Sequence, residues 1–288
     1  MKLIDIIESE KRTISFEVFP PKKETAFEKV KQSTDAIAAL EPEYMSVTYG
    51  AGGGTSRFTL DIASSIHDKY HVPSIAHLTC VSNTKEEIKA QLDRMKELGI
   101  KNILALRGDI PEGAAKRKDW SFQYASELVE FIRQNGDFCV GGACYPEGHP
   151  ESSNMTEDIK NLKHKVENGV EFLTTQMFFD NDILFHFLYT IRDAGIEVPV
   201  VPGIMPMTKG SQLKRIKELS GSYMPVRFLD LVDRFGDNEA AMRQAGIAYA
   251  TDQIIDLYAK GIKHVHVYAM NDVEVAQAVR NNISAILG

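Results

Sequence analysis

Thr13-Ile-Ser-Phe-Glu-Val-Phe-Pro-Pro-Lys22 reads as one buried strand with a hard stop. Ile14, Phe16, Val18 and Phe19 supply apolar bulk. Pro20 and Pro21 end the run, because proline has no N–H to give a ladder. Glu17 sits inside that run. A carboxylate there costs free energy unless something pairs or uses it. Taken alone, a salt-bridged core glutamate, or one tipped into solvent at the strand end, explains it as well as chemistry does.

Outward from this strand the same unit recurs. A helical stripe follows over Thr25–Leu40, with Phe27, Val30, Ile37 and Leu40 on one side. Further strands read over Tyr44–Val47, Ser74–Leu78, Asn102–Leu106, Phe138–Ala143, Phe172–Gln176, Val198–Gly203 and His264–Tyr268. Helices read over Thr59–Lys69, Thr84–Leu98, Ser121–Gln134, Thr156–Asn168 and Asn181–Ala194. Three more, near Ser211–Leu219, Pro225–Phe235 and Asn238–Lys260, precede the last strand, and Asp272–Leu287 follows it. Asn83 or Thr84 caps its helix, with Glu86 and Glu87 where the dipole favours acid.

Strands that are apolar nearly throughout are covered on both faces, and strand–helix alternation makes the sheet parallel. Eight such units within 288 residues predict a single (β/α)8 TIM barrel over residues 1–288, with an N-terminal amphipathic helix in Met1–Arg12. A doubly wound open sheet is the competing α/β architecture.

Composition sets the outer bounds. A formal charge of -7 argues against a nucleic-acid surface, which needs clustered Lys and Arg. No apolar run is long enough to cross a membrane, and the N-terminus does not read as a signal peptide. Cys80, Cys139 and Cys144 are odd in number and form no Cys-x-x-Cys pair, so reduced thiols in a cytoplasmic protein are expected.

In such a barrel, chemistry gathers at the C-terminal strand ends. Read in order, those ends carry Glu17; Thr48 and Tyr49; His77 and Thr79; Arg107 and Asp109; Tyr145 and His149; Gln176; and Tyr268. Any one of them is explained by a strand meeting solvent; the set is harder to explain that way. Gly50-Ala-Gly-Gly-Gly54 fits neither Gly-x-Gly-x-x-Gly nor a P-loop, and serves close backbone approach or plain flexibility equally. His264 and His266 point to one strand face but lack an acidic or thiol partner, so no metal is expected. Asp158, Asn161 and Lys165 share one helical face. Spacing favours a solvated face with an internal ion pair over a rail for a phosphate-bearing ligand.

Seven segments in order carry a resemblance. They are Ser15-Phe-Glu-Val-Phe-Pro-Pro-Lys22, Val47-Thr-Tyr-Gly-Ala-Gly-Gly53, Ala76-His-Leu-Thr-Cys80, Leu104-Ala-Leu-Arg-Gly-Asp109, Ala143-Cys-Tyr-Pro-Glu-Gly-His-Pro150, Thr175-Gln-Met-Phe-Phe-Asp180 and Pro202-Gly-Ile-Met-Pro206. Through them the chain resembles, essentially end to end, the methylenetetrahydrofolate reductase family of the short bacterial type. The resemblance implies a (β/α)8 flavoprotein oxidoreductase of one-carbon metabolism, upstream of methionine biosynthesis. It passes hydride from NAD(P)H to FAD and then to 5,10-methylenetetrahydrofolate.

The resemblance also implies roles. Thr48, Tyr49, His77, Leu106, Arg107, Gly108, Asp109, Tyr124, Ala125, Tyr145, His149, Asp158, Asn161 and Lys165 match FAD-holding positions. Gln176, Gln212 and Tyr268 match the substrate side, with Glu17 as general acid and Asp109 placing negative charge near the flavin. Opening the methylene bridge needs a proton on the departing nitrogen, so a carboxyl kept neutral by apolar neighbours suits Glu17. A homo-oligomer is expected.

Two positions depart from the family. Asp272 stands where an arginine suited to an anionic glutamate tail is common, and Ile216 where an aromatic platform is. A C-terminal regulatory domain of the eukaryotic kind is not expected. The competing readings are the same reductase fed by an electron-donor protein, and a folate-binding subunit without hydride chemistry. Glu17, Asp109 and Gln176 argue against the latter.

Overall fold

All six residues of Thr13–Val18 are buried, as are all four of Tyr44–Val47, Phe172–Thr175 and His264–Val267. Strands buried on both faces need a filled interior and an outer cover. The computed structural model describes residues 1–21, 23–49, 56–81, 83–110 and 120–288. The glycine stretch at 50–54 and the charged stretch at 111–119 lie outside the described residues.

The chain opens with α1 (Ile4–Ile7) and β1 (Thr13–Val18), followed by α2 (Phe27–Ala38). The pairs β2 (Tyr44–Val47) and α3 (Ser56–Tyr70), β3 (Ser74–Thr79) and α4 (Lys85–Glu97), and β4 (Asn102–Leu106) and α5 (Ala125–Asn135) come next. Then come β5 (Cys139–Cys144) and α6 (Met155–Glu167), and β6 (Phe172–Thr175) and α7 (Asn181–Asp193). Two short strands, β7 (Val200–Val201) and β8 (Gly203–Ile204), precede α8 (Gln212–Ser220), α9 (Val226–Phe235) and α10 (Glu239–Ala259). The chain closes with β9 (His264–Val267), α11 (Val273–Asn282) and α12 (Ser284–Leu287).

The strand order is β7-β6-β5-β4-β3-β2-β1-β9-β8, with neighbours parallel. β7 and β8 are two halves of one expected strand, split at Pro202, which has no N–H to continue the ladder. β7 pairs with β6 and β8 with β9, so this one run closes the circle. The (β/α)8 barrel is therefore the architecture, and an open doubly wound sheet is excluded.

Outward side chains such as Ile14, Phe16 and Val18 join the main core between strands and helices. Inside, the lower barrel is filled by Tyr44, Ile75, Leu104, Cys139, Phe172 and Val201, with Leu3 and Ile7 pressed into them from below. This use of the N-terminus shortens its helix to Ile4–Ile7 against the expected Met1–Arg12. Leu3 N is held by Asn102 Oδ1 at 2.7 Å, and the following residues run up to join β1. Thr84, not Asn83, caps α4: its side chain and Glu87 form a reciprocal capping box.

Candidate active site at the barrel mouth

Above the apolar floor the interior turns polar and opens into a cavity of about 520 Å³. Glu17 lines it and is 7% exposed. Because β1 alternates, Phe16 and Val18 face the outer core while Glu17 faces inward. Of the apolar neighbours on its own segment, Phe16 and Val18 therefore do not surround this carboxyl, while Phe19 lines the same cavity. The polar groups around Glu17 come from other strands: Ser46, His77 and His266. Burial pushes its pKa up to about 8, partly offset by the Ser46 hydrogen bond. His77 Nε2 stands 3.6 Å from Glu17 Oε2 and His266 Nε2 4.0 Å. These are not ion pairs, because burial pushes each imidazole down to about 3 and keeps it neutral.

The hydrogen bonds beneath Glu17 have a direction. Ser15 Oγ donates to the Val265 carbonyl at 3.1 Å and lies 2.7 Å from His266 Nδ1. A hydroxyl has one proton, so with that proton on Val265 it accepts from His266 Nδ1–H. A neutral His266 then offers the lone pair of Nε2 to the Ser46 hydroxyl, 2.9 Å away. Ser46 directs its one proton between this nitrogen and Glu17 Oε2, 3.5 Å from it, so the donation to the carboxyl is weak. Below them, Thr13 Oγ1 meets His264 Nδ1 at 2.8 Å, so both histidines of the sequence pair have hydroxyl partners.

The substrate-side positions converge on the same cavity. Gln176, Gln212, Tyr268 and Ile216 line it, with Met177, Met205, Met270 and Phe19. Gln212 Oε1 accepts from the amides of Thr208 and Lys209 at 3.0 and 2.9 Å, which fixes its carboxamide. The Tyr268 hydroxyl donates to the Thr175 carbonyl at 2.5 Å.

The positions that the resemblance assigns to a cofactor divide in two. Thr48, His77, Leu106, Asp109 and Tyr145 line the cavity. The others extend away from it. Tyr49 packs on the main core, since it alternates with Thr48. Tyr124 and Ala125 start α5. Gly108 turns left-handed at φ 89°, and a Cβ there would crowd Val81 at 2.8 Å. Arg107 makes a two-pronged ion pair with Glu151, both contacts at 2.6 Å. His149 meets the Tyr145 ring edge-on, 4.6 Å between centroids. On α6, Asp158 accepts from Ser152 at 2.9 Å, Lys165 donates to the Ala143 carbonyl at 2.7 Å, and Asn161 is exposed. Lys165 has no short ion pair with Asp158; burial lowers its pKa instead. The His77 Nε2 atom is buried with no hydrogen-bond partner and lines the cavity. An unsatisfied buried nitrogen at a cavity wall suits a bound polar heterocycle such as a flavin.

Asp272 changes meaning. It caps α11 by accepting from Val275 N at 3.2 Å and makes a two-pronged ion pair with Arg243 at 2.7 and 2.5 Å. Its charge is thus balanced within the fold, and hydrogen bonds and Arg243 hold its pKa down against burial. Sequence reasoning misses Ser46 as a site residue and gives His266 no site role. The signal was present in the register: Ser46 lies opposite Glu17, and His266 opposite Ser15, which shares the inward parity of Glu17.

A parallel (β/α)8 barrel whose polar side chains gather at the C-terminal strand ends is the class that fold and site define. The methylenetetrahydrofolate reductase family profile matches residues 2–284, and the chain belongs to that family. It is 34% identical over 266 residues to 5,10-methylenetetrahydrofolate reductase of Escherichia coli (strain K12), covering 92% of this chain and 88% of that one. It is 38% identical over 270 residues to methylenetetrahydrofolate reductase 1 of Schizosaccharomyces pombe, covering 91% and 44%. Against methylenetetrahydrofolate reductase (NADH) 1 of Zea mays it is 35% identical, covering 99% and 50%. The chain thus spans about half the length of these two eukaryotic relatives. An uncharacterized Clostridium thermocellum protein, described as binding two copies of 5-methyl-5,6,7,8-tetrahydrofolic acid, superposes with a TM-score of 0.66 at 17% identity. That match covers 99% and 98% of the two chains and speaks to the fold alone.

Proposed function

We propose that this chain reduces 5,10-methylenetetrahydrofolate to 5-methyltetrahydrofolate with electrons from NAD(P)H passed through bound FAD, and that Glu17 is the proton donor. The observation that carries this is a buried carboxyl on the cavity wall, its pKa raised to about 8. FAD, when bound, supplies the chemistry of accepting and giving up a hydride. Thr48, His77, Leu106, Asp109 and Tyr145 would hold it at the cavity, with Tyr49, Arg107, Gly108, Tyr124, Ala125, His149, Asp158, Asn161 and Lys165 along its remaining length.

The chain's own residues do the rest. Glu17 stays protonated near neutrality and gives its proton to the amine nitrogen that departs as the methylene bridge opens. His266, neutral and fixed by Ser15, holds the Ser46 hydroxyl beneath the acid. Asp109 sets negative charge at the cavity rim, where it stabilises the cationic form of the opened substrate. Gln176, Gln212 and Tyr268 orient the folate ring.

The test uses purified protein under anaerobic conditions. NADH or NADPH should bleach the flavin absorbance, and methylenetetrahydrofolate should restore it. Bleaching only by a reduced protein donor would replace the nicotinamide in this scheme. Glu17→Gln should bleach normally with nicotinamide and fail to recover with folate. Folate turnover near the wild-type rate in that variant would remove Glu17 as the acid.

A further inference from the structure

Phe19 follows Glu17 by two residues and lines the same cavity, although β1 has already ended at Val18. One carboxamide holds it there in place of a neighbouring strand. Asn271 Oδ1 accepts from Phe19 N at 2.8 Å, and Asn271 Nδ2 donates to Phe19 O at 2.9 Å. Both backbone groups of Phe19 are thereby satisfied beyond the end of β9 at Val267.

Presenting this carboxamide has a conformational cost. Met270 and Asn271 both adopt left-handed backbone, with φ 54° and 58°. Asparagine tolerates that region, whereas methionine seldom enters it, and such outliers persist only where the surroundings fix them. The next residue provides that fixing: Asp272 caps α11 and is paired with Arg243. The result puts Met270 on the cavity wall while 47% of it stays exposed. Ile216 lines the wall too but offers no ring.

We propose that Phe19 and Met270 form the apolar wall against which the flat pterin ring of the folate packs, and that Asn271 is the positioning residue that sets Phe19. This rests on the folate reductase reading above. A phenyl ring and a thioether both pack well on a flat heteroaromatic ring. Together they take over the stacking surface that Ile216 lacks.

The test isolates the folate step. Holoenzyme is reduced with dithionite, without nicotinamide, and mixed with increasing methylenetetrahydrofolate while the flavin absorbance is followed. Phe19→Leu should raise the half-saturating folate concentration about three- to tenfold, as loss of an aromatic contact predicts. The limiting rate should change less than about twofold, since uniform binding is what is lost. Phe19→Tyr, which keeps the ring, should saturate like the wild type. Asn271→Gly relieves the left-handed strain yet removes both bonds, and should shift saturation as Phe19→Leu does. The double variant should shift no further, because both act through one ring.

Flavin content and melting temperature show whether each variant is folded. Should Asn271→Gly bind no flavin, Asn271→Asp, which loses only the donated bond, takes its place. Wild-type saturation by Phe19→Leu overturns the wall. A double-variant shift equal to the product of the two single shifts overturns Asn271 as the residue that sets Phe19. Wild-type reduced enzyme that folate cannot reoxidise removes the reductase reading itself, and the wall with it.

Discussion

The same strands build two unlike layers inside the barrel. In the lower layer Leu104, Phe172 and Tyr44 interdigitate with Leu3 and Ile7, and the buried Tyr44 hydroxyl is without a hydrogen bond. One pleat higher, Ser46, His77, Thr174 and Glu17 face the cavity, and His77 Nε2 is buried without a hydrogen bond. A step of two residues along a strand separates packing that stabilises from polar burial that destabilises. The upper layer carries strained backbone and neutralised charges that a stability optimum would not keep. The lower layer supplies the surplus that lets them persist.

Variants in each layer should therefore fail in different ways. The largest effect belongs to Glu17→Gln, which should cut folate turnover by about 10²- to 10⁴-fold, the usual loss on removing a general acid. Its melting temperature should not fall. A matching loss of fold stability, read by denaturant unfolding, would merge the two layers into one.

Phe172→Ala should do the reverse, costing about 3–5 kcal/mol of stability while nicotinamide oxidation per folded molecule stays near normal. Gly141 supports that residue: a Cβ there would collide with the Phe172 ring. Gly141→Ala should accordingly cost about 1–3 kcal/mol by overpacking, with the same unfolding measurement as the check.

The pH dependence of stability sharpens the contrast further. Between its ordinary value of 4.5 and its folded value of about 8, folded Glu17 keeps a proton that the unfolded chain releases. Stability from this group therefore falls as pH rises through that window. Folded His77 and His266, pushed from 6.5 to about 3, refuse protons that the unfolded chain takes up. Stability from these two rises with pH up to 6.5 and is complete above it. Two histidines outweigh one carboxyl below pH 6.5, and Glu17 acts alone above, so the three groups place a maximum near pH 6.5. The fall from there to pH 8 is about 2 kcal/mol. Glu17→Gln should abolish it, as thermal melting of both proteins at pH 6.5 and pH 8 will show.

The smallest effect lies far from both layers. Thr84→Ala breaks the capping box of α4, with contacts of 2.7 and 3.2 Å, and should cost ~1 kcal/mol without touching catalysis.

Much of the barrel is legible in the sequence because its signals are local. Apolar runs, proline stops and glycine-terminated helices mark the strands and helices within a few residues. Boundaries slipped where long-range packing intervened: α1 was shortened to serve as a plug, and Pro202 split the seventh strand. In the site, the alternation of β1 turns Phe16 and Val18 away from Glu17 and leaves Phe19 on the cavity side. The cause of the raised Glu17 pKa is burial inside the closed barrel, which the Ser46 hydrogen bond from β2 only partly offsets and which lies beyond the reach of any local reading. The partner of Asp272 is out of local reach for the same reason: Arg243 lies on α10, and only the fold brings its charge alongside.

By itself the sequence determined that this chain is an alternating strand–helix protein with a carboxylate, Glu17, on its first buried strand, because residue period and proline chemistry act over short distances. Only the tertiary structure decided what that carboxylate is. Closing the barrel sets Glu17 over two neutral imidazoles and a shared serine, and desolvation by parts of the chain up to 250 residues away in sequence, as in the Ser15–Val265 contact, holds the acid protonated.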